Sequence, residues 1–149
     1  MAETRWRRIL APTDRSAFSE KAVGYAHELA KHFGAELHVL RVMADADRAV
    51  EQFAVTGVID PAVQNDDYHR WVAALVGETG DVRRVEAVRI GTDVPEAIVR
   101  YAQQNDVDLI VMATHGRTGL THLLMGSVAE QVVRAAPCPV LTLRPEMMK

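Results

Sequence analysis

The chain alternates short apolar runs with longer stretches in which apolar residues recur every three or four positions. Ile9-Leu10-Ala11-Pro12-Thr13 is a run of the first kind, closed by turn-forming residues. Behind it Ala22, Tyr25, Ala26, Leu29, Ala30 and Phe33 fall on one helix face, and Gly34 is placed to end that helix. Leu37 to Val42 reads as a second strand. Met43 to Asp60 carries no sustained period; a connection of that length is usually functional or mobile, and a lid is expected there. Pro61 opens another helix with Tyr68, Trp71, Val72, Leu75 and Val76 inward, and Gly77 and Gly80 punctuate its end.

Val82 to Ile90 reads as a third strand. Asp93-Val94-Pro95-Glu96 then combines an N-cap, an early-turn proline and a capping carboxylate, with Val94, Ala97, Ile98, Tyr101 and Ala102 as the buried face of the helix. Leu109 to Ala113 lacks polar alternation, as expected of a parallel strand covered on both faces, and is placed at the middle of the sheet. A glycine-punctuated segment, Thr114 to Met125, leads to a helix from about Gly126 to Ala136 with Val128, Val132 and Val133 inward. Val140 to Leu143 is the last strand.

This order is βαβαβαβαβ. Strands separated by helices pair in parallel through right-handed crossovers, which predicts an α/β fold with an open parallel sheet and helices on both faces. Ligands of such sheets sit at the carboxyl ends of the strands beside a topological switch point, here the first and fourth strands. The 149 residues, 48% hydrophobic and 25% charged, suit one domain spanning 1–149. Lys and Arg total 17 against 20 Asp and Glu, so there is no basic excess for a nucleic-acid backbone. A single cysteine, Cys138 between Pro137 and Pro139, makes neither an internal disulfide nor a multi-thiolate zinc site and is expected to be a buried small hydrophobe. No run is long enough for a signal-peptide core or a membrane span, so a cytoplasmic protein is expected.

Chemistry concentrates in Ala113-Thr114-His115-Gly116 and, nine residues on, Gly126-Ser127-Val128-Ala129-Glu130. Glycine after a strand lets a ligand approach the backbone, and Gly126-Ser127 opening a helix presents free N–H groups to phosphate. No Gly-x4-Gly-Lys-Ser/Thr pattern occurs. Ser127 and Glu130 equally fit a capping box that satisfies the helix internally, and Gly116 and Gly119 fit plain turn positions. Spacing alone leaves both readings open.

Met112-Ala113-Thr114-His115-Gly116-Arg117-Thr118-Gly119, Leu124-Met125-Gly126-Ser127-Val128-Ala129-Glu130 and Ala136-Pro137-Cys138-Pro139-Val140 together resemble the universal stress protein family. The opening Ile9-Leu10-Ala11-Pro12-Thr13-Asp14 with Ser16 is similar to that family's first strand and turn, so the resemblance covers nearly the whole chain; Met43 to Thr79 is not diagnostic. It implies a Rossmann-like fold with five strands in the order 3-2-1-4-5, a homodimer through Val140, Leu141, Thr142 and Leu143 and, in one branch, bound ATP with Mg2+ as its companion ion. That branch carries Gly-x2-Gly-x9-Gly-Ser/Thr. Here Gly116, Gly126 and Ser127 match, while Ala113 replaces the first glycine and adds a methyl where a nucleotide would approach.

By the same match Thr13 and Asp14 would face ribose and adenine, and Val42 would offer backbone groups to adenine. Gly116, Arg117, Gly126, Ser127 and Val128 would surround the phosphates with His115 nearby, and Pro12 and Met112 complete the set. Read without the resemblance, Asp14 is an Asx turn or a helix N-cap.

The six histidines do not assemble a metal site in the sequence: His27-Glu28 begins like a zincin helix, but His32 falls one place too late. His115 and His122 lack a Cys or acidic cluster at ligand spacing. There is no Gly-x-Ser-x-Gly elbow, and Asp14 is the one obvious acidic candidate for magnesium, so no catalytic residue is assigned and fast turnover is not expected. The leading expectation is an ATP-binding stress-response regulator with an unidentified protein partner and no nucleic-acid or membrane partner. The alternatives are a homodimeric interaction module of the same fold that binds no nucleotide, which Ala113 favours, and a small enzyme acting on a nucleotide or phosphorylated metabolite.

Overall fold

The computed structural model describes residues 5–43, 61–77, 80–115 and 126–144. Its elements run β1 (Arg8–Thr13), α1 (Ala17–Phe33), β2 (Glu36–Met43), α2 (Pro61–Val76), β3 (Arg84–Ile90), α3 (Val94–Gln104), β4 (Leu109–Ala113), α4 (Ser127–Ala135) and β5 (Val140–Leu143). The strands form one parallel sheet in the order β3-β2-β1-β4-β5. This is the expected α/β, Rossmann-like topology. The middle strand, however, is β1 and not Leu109–Ala113, which lies beside it as β4. The chain winds outward through β2 and β3, then returns past β1 to continue on its other side. Both strands are covered on both faces, so both read as apolar runs.

Period-two alternation divides the core. Ile9, Ala11, Leu37, Val39, Leu109 and Val111 face α1 and α2, where they meet Ala22, Val23, Ala26, Tyr68 and Val72. Leu10, Leu40, Ile110 and Met112 face α3 and α4, where they meet Ile98, Tyr101, Ala102, Ala129 and Val132. Two stripes differ from expectation. In α1 the buried residues are Ser19, Ala22, Val23, Ala26 and Ala30, while Tyr25 is 46% exposed. Small side chains on this face let the helix lie close on β1 and β4, and the bulky tyrosine is turned outward. In α4 Ala129 and Val132 are buried, whereas Val133, about 100° further round the helix, is 46% exposed.

The caps are as read at two ends. Gly34 ends α1 at φ 64°, a left-handed value that glycine adopts without penalty. The Asp93 side chain accepts the Glu96 amide at 3.1 Å and starts α3. Val82 lies ahead of β3, and Met43 belongs to β2; the expected lid, residues 44–60, lies outside the described residues. Cys138 is half-buried against the second core cluster, and burial pushes its thiol pKa up.

The amino ends of the strands are clipped together. One Asp108 carboxylate oxygen, Oδ2, accepts the backbone amides of Arg7 at 2.8 Å and Arg8 at 2.9 Å. The Asp108 amide in turn donates to the Arg8 carbonyl, and the Glu36 amide to the Arg7 carbonyl. The Glu36 carboxylate gathers Arg83 at 3.2 Å and His38 at 2.7 Å. Among the described residues no helix is long and apolar enough to cross a membrane.

Candidate functional site

At the opposite end of the sheet, the carboxyl ends of β1, β2 and β4 and the start of α4 enclose a cavity of about 330 Å³. That volume is at the lower end of the range for small-molecule pockets. Pro12, Thr13, Asp14, Val42, Met112, Ala113, His115, Gly126, Ser127 and Val128 all line it, so the structure brings these predicted residues together. Gly116 and Arg117 lie outside the described residues.

The turn after β1 is built from its own side chains. Asp14 Oδ1 accepts the Ser16 amide at 2.9 Å, an Asx turn, and Ser16 rather than Asp14 is the N-cap of α1, accepting the Ser19 amide at 3.2 Å. Thr13 Oγ1 accepts the Arg15 amide at 2.9 Å and lies 2.8 Å from Ser19 Oγ. Ser19 Oγ donates its one proton to the Ser16 carbonyl, so Thr13 is the donor to Ser19. The Thr13 hydroxyl is thereby committed to the helix, and any donation from this residue to a ligand comes from its backbone. Arg15 completes the turn at φ 63°, a left-handed conformation that costs a non-glycine residue about 1–2 kcal/mol.

The β4 end is assembled differently. The Gly126 amide donates to the Thr114 carbonyl at 2.7 Å, and Gly126 is the N-cap of α4. The capping-box reading of Ser127 and Glu130 does not hold. Ser127 is already inside the helix, the cap makes no side-chain hydrogen bond, and the Glu130 carboxylate accepts from Arg134 at 2.8 Å instead of reaching back. The first turn of α4 therefore opens on the cavity, and among the described residues no side chain caps it. An uncapped helix start presents N–H donors and the positive end of the helix dipole to an anion. A Cβ at Gly126 would lie 2.7 Å from the Thr114 carbonyl oxygen, so the close approach requires glycine.

His115 is buried, with Nδ1 2.8 Å from Thr114 Oγ1. Its Nε2 is a buried atom without a hydrogen-bond partner among the described residues. Buried polar atoms are rarely left unpaired, and the usual explanation is a partner outside the protein. Ala113 packs its methyl against the α1 face of the core while lining the cavity. The sequence reading missed Arg41, a buried charge on the cavity wall opposite Thr13 in the β1–β2 register. A lone arginine in the apolar run Leu37–Met43 was its signal, since a charge inside such a run is either turned to solvent or placed for a purpose. Val94 and Ile98 of α3 and Ser19 of α1 also line the cavity, contributed by helices whose approach to the strand ends is a tertiary matter. Among the described residues no group of three or more His, Cys, Asp or Glu side chains is arranged to hold a metal.

A parallel sheet in this order, with a cavity at the switch point between β1 and β4, defines a Rossmann-like α/β protein. The model of the universal stress protein family matches residues 5–144, and the chain belongs to that family. It is similar to the universal stress protein MJ0531 of Methanocaldococcus jannaschii, 32% identical over an alignment covering 95% of this chain and 84% of that protein. Among solved structures, the universal stress protein UspA from Lactobacillus plantarum superposes with a TM-score of 0.76 at 27% identity, covering 95% of this chain and 99% of that one. The universal stress protein from Archaeoglobus fulgidus in complex with dAMP shares the fold, with a TM-score of 0.66 at 21% identity over 93% of this chain and 98% of that one.

Proposed function

We propose that this chain, acting as one domain over residues 1–149, is a stress-response regulator that binds an adenine nucleotide, ATP first among them, at the carboxyl ends of β1 and β4. The observation that carries this reading is the uncapped start of α4 at Gly126, facing a cavity that also holds the unpartnered His115 Nε2. A phosphate oxygen satisfies the helix N–H groups; Thr114 Oγ1 donates to the Leu143 carbonyl at 3.3 Å, so His115 Nδ1 donates to Thr114 and Nε2 accepts, as it would from a ligand hydroxyl. Ser127 and Val128 meet the phosphates in this arrangement, joined by Gly116 and Arg117 through the family pattern. Thr13 and Asp14 face the ribose, and the Val42 backbone meets adenine beside Pro12 and Met112. The dAMP complex of the Archaeoglobus fulgidus relative is consistent with a nucleotide in this fold.

Asp14 is the sole carboxylate among the described cavity-lining residues, and it is the residue that would meet a nucleotide-borne Mg2+. Phosphoryl transfer needs an organised metal site and a group that positions the nucleophile. With one carboxylate, already serving its own turn, hydrolysis is slow or absent and nucleotide acts by shifting conformation toward a protein partner. The protein works in the cytoplasm as a homodimer through Val140–Leu143. A second reading, an interaction module that takes no nucleotide, rests on Ala113 in place of glycine.

Chromatography of nucleotide released on denaturing freshly purified protein, with calorimetric titration of ATP, separates the two. Stoichiometric ATP that is lost in Gly126→Val, with the variant still folded by thermal melting, supports the nucleotide reading. A folded wild type that carries none and binds none at millimolar ATP leaves the interaction module.

A further inference from the structure

The turn that places Asp14 at the cavity contains a residue chosen against its backbone. Arg15 holds φ 63°, where glycine or asparagine would stand with little cost. Its side chain leaves the turn and crosses to α2. There Nη1 donates to Asp67 Oδ2 at 3.0 Å, and the guanidinium lies 5.3 Å from the centre of the Trp71 ring. Trp71 is itself fixed, its Nε1 donating to Glu20 of α1 at 3.3 Å and its ring stacking on Tyr68. Tyr68 closes the set by donating its hydroxyl proton to the Val39 carbonyl of β2 at 2.9 Å.

Within the turn, consecutive amides bind consecutive side chains: Arg15 N–H reaches Thr13 Oγ1, and Ser16 N–H reaches Asp14 Oδ1. The second of these bonds spans Arg15 and depends on its left-handed backbone; the first closes ahead of it. The side-chain contacts with α2 are what offset that conformation.

We infer that Arg15 is a positioning residue for the cavity: anchored on Asp67 and Trp71, it holds Asp14 in place, so that the seating of α2 and the occupancy of the cavity are linked. The linkage is reciprocal, because a ligand that fixes Asp14 stabilises the same turn that α2 holds. The identity of the ligand rests on the nucleotide reading above; the positioning of the turn does not.

The test compares Arg15→Ala with Arg15→Gly. Alanine removes the anchor and keeps the backbone penalty, whereas glycine removes both. Hydrogen exchange at the Ser16 amide is measured without nucleotide, and the ATP dissociation constant by calorimetry. Alanine is expected to lower protection and weaken ATP about tenfold, with glycine restoring both to within about threefold of wild type. Equal losses in the two variants, or no loss in either, would overturn the inference, because a side chain that only docks α2 does not distinguish alanine from glycine. The expected exchange pattern with unchanged affinity would overturn the linkage to the cavity. If wild type binds no ATP yet the exchange pattern appears, the positioning stands and the nucleotide reading falls. As a second readout Trp71 fluorescence, in a Trp6→Phe background, is expected to change on ATP addition in wild type and to lose that response in Arg15→Ala.

Discussion

Gly126 and Thr114 are joined by a single backbone hydrogen bond of 2.7 Å, and a methyl group built on Gly126 would stand 2.7 Å from the same carbonyl oxygen that accepts it. Gly126 is thus required for space, since its φ of −61° suits any residue. Gly126→Ala is expected to force the start of α4 away from β4, costing about 1–3 kcal/mol. A melting temperature lowered by several degrees, with ATP affinity at least tenfold weaker, is the expected result. Unchanged melting and unchanged binding would mean that the helix start tolerates displacement and is not the cradle.

Leu141 and Leu143 were both expected to present the last strand to a second copy, but they point to opposite fates. Leu141 is 39% exposed, while Leu143 is 5% exposed and belongs to the core facing α1. Leu141→Lys is therefore the clean probe of the proposed dimer. Light scattering after size exclusion is expected to give monomer mass, with the far-UV circular dichroism of the folded chain retained, because Leu141 lies outside both core clusters. Leu143→Ala should instead cost about 2–5 kcal/mol whatever the oligomeric state. A Leu141→Lys protein that keeps the wild-type mass would remove this edge as the interface.

Ala113 offers a test of how much its methyl matters. The side chain packs on the core and is not directed wholly into the cavity. Restoring the family glycine by Ala113→Gly should improve ATP affinity by less than about threefold and cost roughly 0.5–1 kcal/mol from the added freedom of a strand glycine. A gain of tenfold or more by calorimetry would show that the methyl obstructs the ligand and would strengthen the nucleotide-free reading of the wild type.

Burial raises the pKa values of Tyr68, Tyr101 and Cys138. The folded state holds these protons more tightly than the unfolded chain does, so their contribution to stability is complete below the ordinary thiol and phenol range. It falls as pH rises through about 8.5–10, where the unfolded chain ionises first. The melting temperature should decline across that alkaline range, and Tyr68→Phe should decline less steeply. At neutral pH the same variant loses the bond to Val39 and about 1 kcal/mol. An identical alkaline slope in wild type and Tyr68→Phe would remove Tyr68 as a source of the dependence.

Much of this architecture was legible because its elements are short and cleanly punctuated. Leu109–Ala113 and Val140–Leu143 match their strands residue for residue, and Gly34 and Asp93 cap the helices they were expected to cap. The misreadings share one cause, tertiary contact. Tyr25 and Val133 fit a helical stripe, but which face is inward depended on how closely the sheet lets a helix approach. Ser127 and Glu130 have capping-box spacing, yet the bond from Gly126 to Thr114, twelve residues away in sequence, starts the helix one position earlier. Arg41 went unread because nothing local says that a strand end will be roofed over. The predicted site residues converged because a switch point gathers strand ends that sequence keeps far apart.

The clip at Asp108 has a consequence for how such a protein can change over evolutionary time. Two strand partners are locked in register from the amino end, by one carboxylate oxygen that grips two successive amides at 2.8 and 2.9 Å. Nothing in that fastening involves the cavity rim at the opposite end of the sheet. Substitutions at the rim can therefore be sampled without renegotiating the alignment of the sheet, and drift in ligand preference is uncoupled from loss of the fold. Assembly is inherited at one end of the molecule, and novelty is tried at the other.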